Sequence, residues 1–232
     1  MRRQFRILSA VCLLALLSSA CTPHEASVKP GINKEFEGDV DVSKWVERFE
    51  GESREVYRER ERIAAAMNLQ PGMKVADIGA GTGFFSLLFA ECVKPGGRVY
   101  AVDISDEFVE HIAAKAKERN LDNIVTVRCS ADSVGLAPGM IDRAFICDTY
   151  HHFEYPLSTM RSLRNAMKPG GELFVVDFIR IEGKSREWIL DHVRAGEEVF
   201  REEIESCGFE SVPLGVETGY LDENYIMRFR RK

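Results

Sequence analysis

The fold is decided by residues 75–84, which read VADIGAGTGF. An apolar run of strand type ends there in closely spaced glycines, and a helical pattern begins directly after them. Glycines let the backbone pass close to a ligand, and the N-terminus of the following helix favours a negative group. The stretch therefore predicts a strand, a ligand-binding loop and a helix in succession.

Outward from this loop, short strand patterns alternate with helical patterns. Such alternation is typical of a parallel sheet with helices on both faces. We therefore expect an α/β fold, with a doubly wound, mostly parallel, seven-stranded sheet and a C-terminal antiparallel hairpin. The expected strands cover 74–78, 98–102, 124–128, 143–148 and 172–178, the hairpin covers 209–217 and 225–229, and the expected helices cover 84–93, 106–120, 156–167 and 186–207.

Residues 1–20 have the layout of a secretory signal peptide. Three arginines precede an apolar run at 7–17, which is shorter than the roughly 20 residues that a membrane-spanning helix needs. The small residues before Cys21 resemble the lipobox of bacterial lipoproteins, whose cysteine carries the lipid. We expect a lipoprotein anchored to a membrane of the bacterial cell envelope through Cys21. A cleaved, soluble periplasmic protein and an uncleaved anchor are the alternatives.

Two segments separate this signal from the sheet. Residues 21–41 carry proline, glycine and charges without a hydrophobic period, which is typical of a flexible tether. Residues 42–70 place apolar side chains at three-to-four spacing, which predicts a helical cap. The chain is short for two independent domains, so we expect one domain over 42–232.

Charge and cysteine spacing exclude several kinds of partner. The net charge of −6 becomes more negative if residues 1–20 are removed, because they contain three arginines and no acid. Nucleic acid is therefore not expected as a partner, since its binding depends on clustered Lys and Arg. The cysteines are widely spaced without a Cys-x-x-Cys pair, so we expect buried free thiols and no metal site.

The glycine loop departs from the dinucleotide pattern Gly-x-Gly-x-x-Gly, because its third glycine comes one residue early. It resembles the first motif of the class I, Rossmann-like, S-adenosylmethionine-dependent methyltransferases. The resemblance implies S-adenosylmethionine as the cofactor, with Asp77 meeting the amino group of its methionine part. A nicotinamide cofactor has no such ammonium group beside its pyrophosphate.

Three further stretches match the same family. Asp103 ends the second strand and, by this resemblance, binds the ribose hydroxyls. Asp132 would accept a hydrogen bond from the adenine amine, and residues 168–171 resemble the family's Lys-Pro-Gly-Gly turn. A strand-end carboxylate and an Asx turn are the structural alternatives for the two acids. The other expected cofactor contacts are Gly79, Ala80, Gly81, Gly83, Ile104, Ala131 and Asp148.

The segment after the fourth strand, Tyr150 to Phe153, is expected at the ligand-binding edge of the sheet. It lacks the two prolines of the amide- and amino-base methyltransferases and resembles small-molecule enzymes of the quinone-biosynthesis type. His152, and His151 as the alternative, are the expected catalytic residues, because imidazole titrates near neutrality. We also expect Tyr150 in contact with the substrate.

A second cluster lies on the helix expected after the fifth strand. His192 and Arg194 are candidates for contact with an anionic substrate, although a solvated helix face also explains such residues. These patterns together predict methyl transfer to a small or lipid-like acceptor. An exported protein that binds S-adenosylmethionine without turnover is the alternative, because the cofactor is made in the cytoplasm.

Overall fold

The structure is a computed structural model that describes residues 25–232. The expected signal peptide and Cys21 lie outside the described residues. Within 25–232, no helix has both the length and the apolar character that crossing a membrane requires.

Seven strands form one sheet in the order β3-β2-β1-β4-β5-β7-β6. The strands β1 to β5 pair in parallel, and β7 runs antiparallel between β5 and β6. The predicted fold class is therefore confirmed. The strands are β1 (Lys74–Ile78), β2 (Arg98–Asp103), β3 (Ile124–Arg128), β4 (Ile141–Cys147), β5 (Met167–Phe178), β6 (Phe209–Ser211) and β7 (Asn224–Arg231).

Helices pack on both faces of the sheet. The predicted cap at 42–70 contains three short helices. The helices are α1 (Val42–Phe49), α2 (Glu55–Arg58), α3 (Arg60–Ala66), α4 (Phe84–Cys92), α5 (Asp106–Glu118), α6 (Pro156–Ala166), α7 (Glu187–His192) and α8 (Glu197–Ser206), with 3-10 turns at Lys34–Phe36 and Tyr150–His152.

The prediction of a single helix over 186–207 is wrong, because a non-helical connection separates α7 from α8. Val193 is extended at φ −75° and ψ 119°, and Gly196 is the N-cap of the second helix. The Arg180 guanidinium donates to the carbonyl oxygens of Leu190 and Val193, each at 2.9 Å. These bonds satisfy carbonyls that the end of α7 leaves without helical partners.

The described part of the expected tether, residues 25–41, packs on the domain. The Glu25 carboxylate accepts from the backbone N–H groups of Leu157 and Ser158, at the start of α6. Phe36 packs on Trp45, with ring centroids 4.9 Å apart. These residues are therefore held by a helix N-terminus and an aromatic cluster, so they do not form the free linker that their composition predicts.

The carboxyl ends of four strands bring four acids to one edge of the sheet. Asp77 lies near the end of β1, Asp103 ends β2, Asp148 follows β4, and Asp177 lies near the end of β5. Strand pairing aligns these ends, since Ile78 pairs with Val102 on one side and with Ile146 on the other. This edge is where open α/β sheets bind ligands.

Candidate active site

A cavity of about 490 Å³ lies at this edge of the sheet. The glycine loop and the ends of β1 and β2 form one side of it. The 3-10 turn after β4 and helix α7 form another, and the segment from Asn33 to Glu55 contributes a third. The cavity therefore joins the parts of the chain that the sequence assigns to cofactor and to acceptor.

The glycine loop has a backbone that other residues would not adopt easily. Gly79 has φ +70°, and a Cβ there would lie 2.1 Å from Cγ2 of Thr149. Gly81 has φ +55° and donates its backbone N–H to Asp103 at 2.8 Å. Gly79, Ala80 and Gly81 line the cavity, whereas Gly83 does not and instead packs against Ile112.

Asp77 is a buried carboxylate that faces the cavity. Its Oδ2 atom accepts a hydrogen bond from the Ser86 hydroxyl at 2.6 Å. Burial raises its pKa to about 7, against a weaker lowering by that hydrogen bond. A buried acid without an ionic partner among residues 25–232 is suited to a cationic group of a ligand.

Asp103 is also buried and lines the cavity beside the loop. Its oxygens accept from the backbone N–H groups of Gly81 and Ser105, at 2.8 and 2.9 Å. Burial raises its pKa, although these bonds favour the charged form. The carboxylate thus ties the loop to the end of β2, and its remaining lone pairs are available for hydroxyl donors.

The expected adenine region is present, but Asp132 is not part of the cavity lining. Ile104 and Ala131 line it, as do Ser130, Ser133 and Val134. The Asp132 carboxylate accepts from the Ser130 hydroxyl at 2.7 Å, which is the local turn bond expected of the structural alternative.

Asp148 lines the cavity with both oxygens already engaged. Arg54 forms an ion pair with Oδ2 at 2.8 Å, and the Asn224 amide donates to Oδ1 at 2.7 Å. Burial raises its pKa and Arg54 opposes that rise. The expected cofactor contact is therefore joined to two residues, in the cap and in β7, that sequence reasoning missed.

His151 is held by a buried carboxylate. Its Nδ1 atom lies 2.8 Å from Oδ1 of Asp177, and its backbone N–H donates to Oδ2 at 3.2 Å. The residue is 1 % exposed, and Asp177 is fully buried. An Asp177 carboxylate acting as acceptor places the proton on Nδ1 and leaves the lone pair on Nε2 of the ring.

His152 faces His192 rather than a carboxylate. Their Nε2 atoms lie 3.1 Å apart, and the His152 ring meets the edge of Phe36. Burial and the neighbouring His151 lower the pKa of His152 to about 2, and burial lowers that of His192 to about 4. Both rings are therefore neutral near pH 7. His152, the expected catalytic residue, is consequently a weak base.

Tyr150 and Arg194, the other expected substrate contacts, do not line the cavity, so the structure does not bring them together with the histidines. Tyr150 is fully buried in the core, with its ring 4.9 Å from that of Phe200. Arg194 forms a two-pronged ion pair with Glu203 at 2.6 and 2.8 Å. Both side chains fasten α8 to the domain.

The four cysteines within 25–232 are free, as expected, but only Cys207 is buried. Cys92 is exposed and Cys129 and Cys147 are intermediate, and these last two line the cavity. Burial raises the pKa of Cys129 to about 12, so its thiol is protonated at neutral pH.

The segment before α1 contributes two residues to the site that sequence reasoning missed, because its composition is that of a tether. The Asn33 amide donates to the His152 carbonyl at 3.1 Å, and the Lys29 ammonium donates to the His192 carbonyl at 3.0 Å. Asp177 was missed as well. Its signal was an acid inside the otherwise apolar run at 173–178.

The residues present fit S-adenosylmethionine. Asp77 suits an ammonium group, Asp103 suits ribose hydroxyls, and the glycine loop lines the cavity with its backbone, at Gly79 too close to Thr149 for any Cβ. These groups surround one part of the cavity, while the histidines lie at another.

Comparison with known proteins agrees with this assignment. Residues 76–175 match the family model described as a methyltransferase domain. A ubiquinone/menaquinone biosynthesis C-methyltransferase, UbiE, from Bordetella avium is 30% identical over 114 residues, or 49% of this chain and 44% of that protein. The chain spans about half or less of the length of the curated relatives it matches.

Solved structures share the fold. A SAM-dependent methyltransferase from Aquifex aeolicus has a TM-score of 0.70 and 24% identity, covering 83% of this chain and 99% of that one. The [4+2]-cyclase SpnF has a TM-score of 0.63 and 20% identity, covering 75% of this chain and 80% of that one. At these identities the likeness concerns the fold, which is shared by proteins with different activities.

Proposed function

We propose, from the match of residues 76–175 to a methyltransferase domain and the resemblance of the glycine loop to class I S-adenosylmethionine-dependent methyltransferases, that this protein methylates a small or lipid-like acceptor. One observation carries the proposal: a single cavity is lined both by the buried acids of the cofactor loop and by the histidine turn. Cofactor and acceptor would therefore meet in one enclosed space, as an in-line transfer requires.

The chain's own residues would divide the work. Asp77 and Asp103 hold polar groups of the cofactor, and the glycine loop admits it closely. When bound, S-adenosylmethionine supplies an electrophilic methyl group on a sulfonium. The aromatic side chains of Phe36, Trp45 and Phe49 also line the cavity and would exclude water from the bound reactants.

The acceptor class follows from the other end of the cavity. The rings of Trp188 and Phe178 pack edge to face at this end of the cavity and suit an apolar ring or chain of the acceptor. The relative from Bordetella is named for quinone biosynthesis. Lys29, Arg48 and Arg186 lie nearby and favour an acceptor with an anionic oxygen.

A transfer assay tests the proposal. Purified protein would be incubated with S-adenosylmethionine labelled in the methyl group and with acceptors that offer a phenol, a thiol, an amine or a ring carbon. We expect label in at least one acceptor, and less label with Asp103→Ala when the cofactor concentration is below the wild-type dissociation constant. Cofactor binding without transfer to any acceptor would instead support the binding protein without turnover.

Location is a separate part of the proposal. The arginine-rich start, the short apolar run and the small residues before Cys21 support a lipoprotein of the cell envelope. We expect the protein to fractionate with bacterial membranes, and Cys21→Ser to abolish acyl labelling while the domain stays folded. Recovery of the chain with Met1 attached in the soluble cytoplasmic fraction would contradict this location.

A further inference from the structure

Three histidines from two distant parts of the chain converge at the cavity. His151 and His152 belong to the 3-10 turn after β4, and His192 ends α7. One nitrogen of each ring lies within 4.8 Å of a nitrogen of the other two. All three side chains line the cavity, so a group bound among them is accessible to a ligand.

One of these rings is oriented as metal-binding histidines are. The Asp177 carboxylate engages Nδ1 of His151 at 2.8 Å and also accepts the backbone N–H of the same residue. A carboxylate on the far nitrogen sets the tautomer and raises the basicity of the near one. Within 25–232, Nε2 of His151 has no hydrogen-bond partner, so its lone pair is available.

The spacing of the other two rings agrees with shared coordination. With metal–nitrogen distances of about 2.0–2.1 Å in a tetrahedron, two ligand nitrogens lie roughly 3.3 Å apart. The Nε2 atoms of His152 and His192 are 3.1 Å apart. A hydrogen bond between the two rings gives a similar distance, but it leaves unexplained why a third, carboxylate-oriented imidazole joins them.

We propose that His151, His152 and His192 bind one divalent transition-metal ion of the zinc type, with an open coordination position in the cavity. Imidazole suits zinc, copper, iron and nickel, and three protein ligands with a fourth position free is the pattern of catalytic zinc sites. The sequence predicted no metal because no short His-x-x-x-His spacing links His192 to the other two histidines. The fold brings the three together from the turn after β4 and from the end of α7.

The open position gives the cluster a role in the proposed methyl transfer, on which this part of the inference rests. A phenol or thiol acceptor would replace a metal-bound water and lose its proton to solvent, since a bound cation stabilises the anion. The acceptor would then be held as a nucleophile without a strong protein base.

Metal binding is tested without cofactor or acceptor. The purified full chain, treated with chelator and dialysed, would be titrated calorimetrically with Zn²⁺, and Co²⁺ would report coordination through its visible absorption. We expect one ion per chain and the spectrum of a four-coordinate site. His192→Ala should weaken Zn²⁺ binding at least about 100-fold, and Asp177→Asn about 10- to 100-fold.

His111→Ala is the matched control, because His111 lies on α5 outside the cavity and should leave Zn²⁺ affinity unchanged. Circular dichroism and the denaturation midpoint would show that each variant is folded. The proposal would be overturned if the wild type showed no saturable Zn²⁺ binding. It would also be overturned if the wild type and His192→Ala bound Zn²⁺ with equal affinity. Binding of S-adenosylhomocysteine by the same sample separates this failure from failure of the methyltransferase proposal.

Discussion

The two ends of the cavity are built differently. Most of the cofactor end consists of backbone and acids from β1, β2 and the loop between β1 and α4, within 77–104, and residues 130–134 line the cavity beside them. The histidine end combines Lys29, His151, Asp177 and His192, which span most of the described chain. Residues that lie close together in the chain form a motif that can be recognised in the sequence. Residues brought together only by folding do not form such a motif.

The sharpest test of this division removes a histidine. We expect His152→Ala to keep cofactor affinity within about twofold and to lower turnover about 100-fold or more, because misplacing the acceptor slows an alignment-dependent reaction. Turnover would be measured with an acceptor found in the labelling assay, and His111→Ala would serve as the control. A parallel loss of cofactor affinity would mean that the two ends do not act separately.

A second test strains the cofactor end. In Gly79→Ala, a methyl group would meet Thr149 at 2.1 Å and the residue would keep φ +70°. Gly170→Ala has the same strain at φ +73° with no atom within 4 Å, and should cost only about 1–2 kcal/mol. Urea denaturation should show Gly79→Ala to be about 1–3 kcal/mol less stable than this control. Equal stabilities of Gly79→Ala and Gly170→Ala would mean that the loop accommodates a Cβ beside Thr149 without a steric clash.

The third test uses pH. Because burial raises the pKa of Asp77 to about 7, the folded protein without cofactor holds a proton that the unfolded chain releases above about 3.8. This contribution to stability is present below pH 3.8 and is lost as the pH rises through about 7.

Binding an ammonium group requires the charged carboxylate, so cofactor affinity should change in the opposite direction. Calorimetry with S-adenosylhomocysteine should show affinity rising toward pH 7, by at most about tenfold per unit. Asp77→Asn should remove this slope and bind weakly at every pH. If the wild type and Asp77→Asn showed the same pH dependence of affinity, that dependence would belong to another titrating group.

How much the sequence predicted follows the same division. The alternation of strands and helices, the glycine loop and the buried positions of Asp77 and Asp103 follow from local pattern, since each acid lies at or near the end of an apolar strand. Asp132 did not reach the cavity, because a turn bond to Ser130 uses its carboxylate. Motif order therefore predicted the cofactor end but not each contact in it.

The histidine end was predicted in part and for incomplete reasons. Tyr150 and Arg194 are sequence neighbours of the histidines, but the short turn places Tyr150 in the core, and after the end of α7 Arg194 pairs with Glu203. Asn33 was hidden in a segment with the composition of a tether, although packing on the domain holds it at the His152 carbonyl. Only tertiary structure brings such groups together.

Calorimetric titration with S-adenosylmethionine tests the central claim most directly. We expect one cofactor per chain, an affinity loss of about 1–3 kcal/mol in Asp103→Ala from its unpaired polar groups, and unchanged affinity in His192→Ala. Asp122→Ala, an exposed acid on the α5–β3 loop, is the matched control and should bind as the wild type does. No binding by the wild type at about 1 mM cofactor, or full affinity in folded Asp103→Ala, would contradict the account.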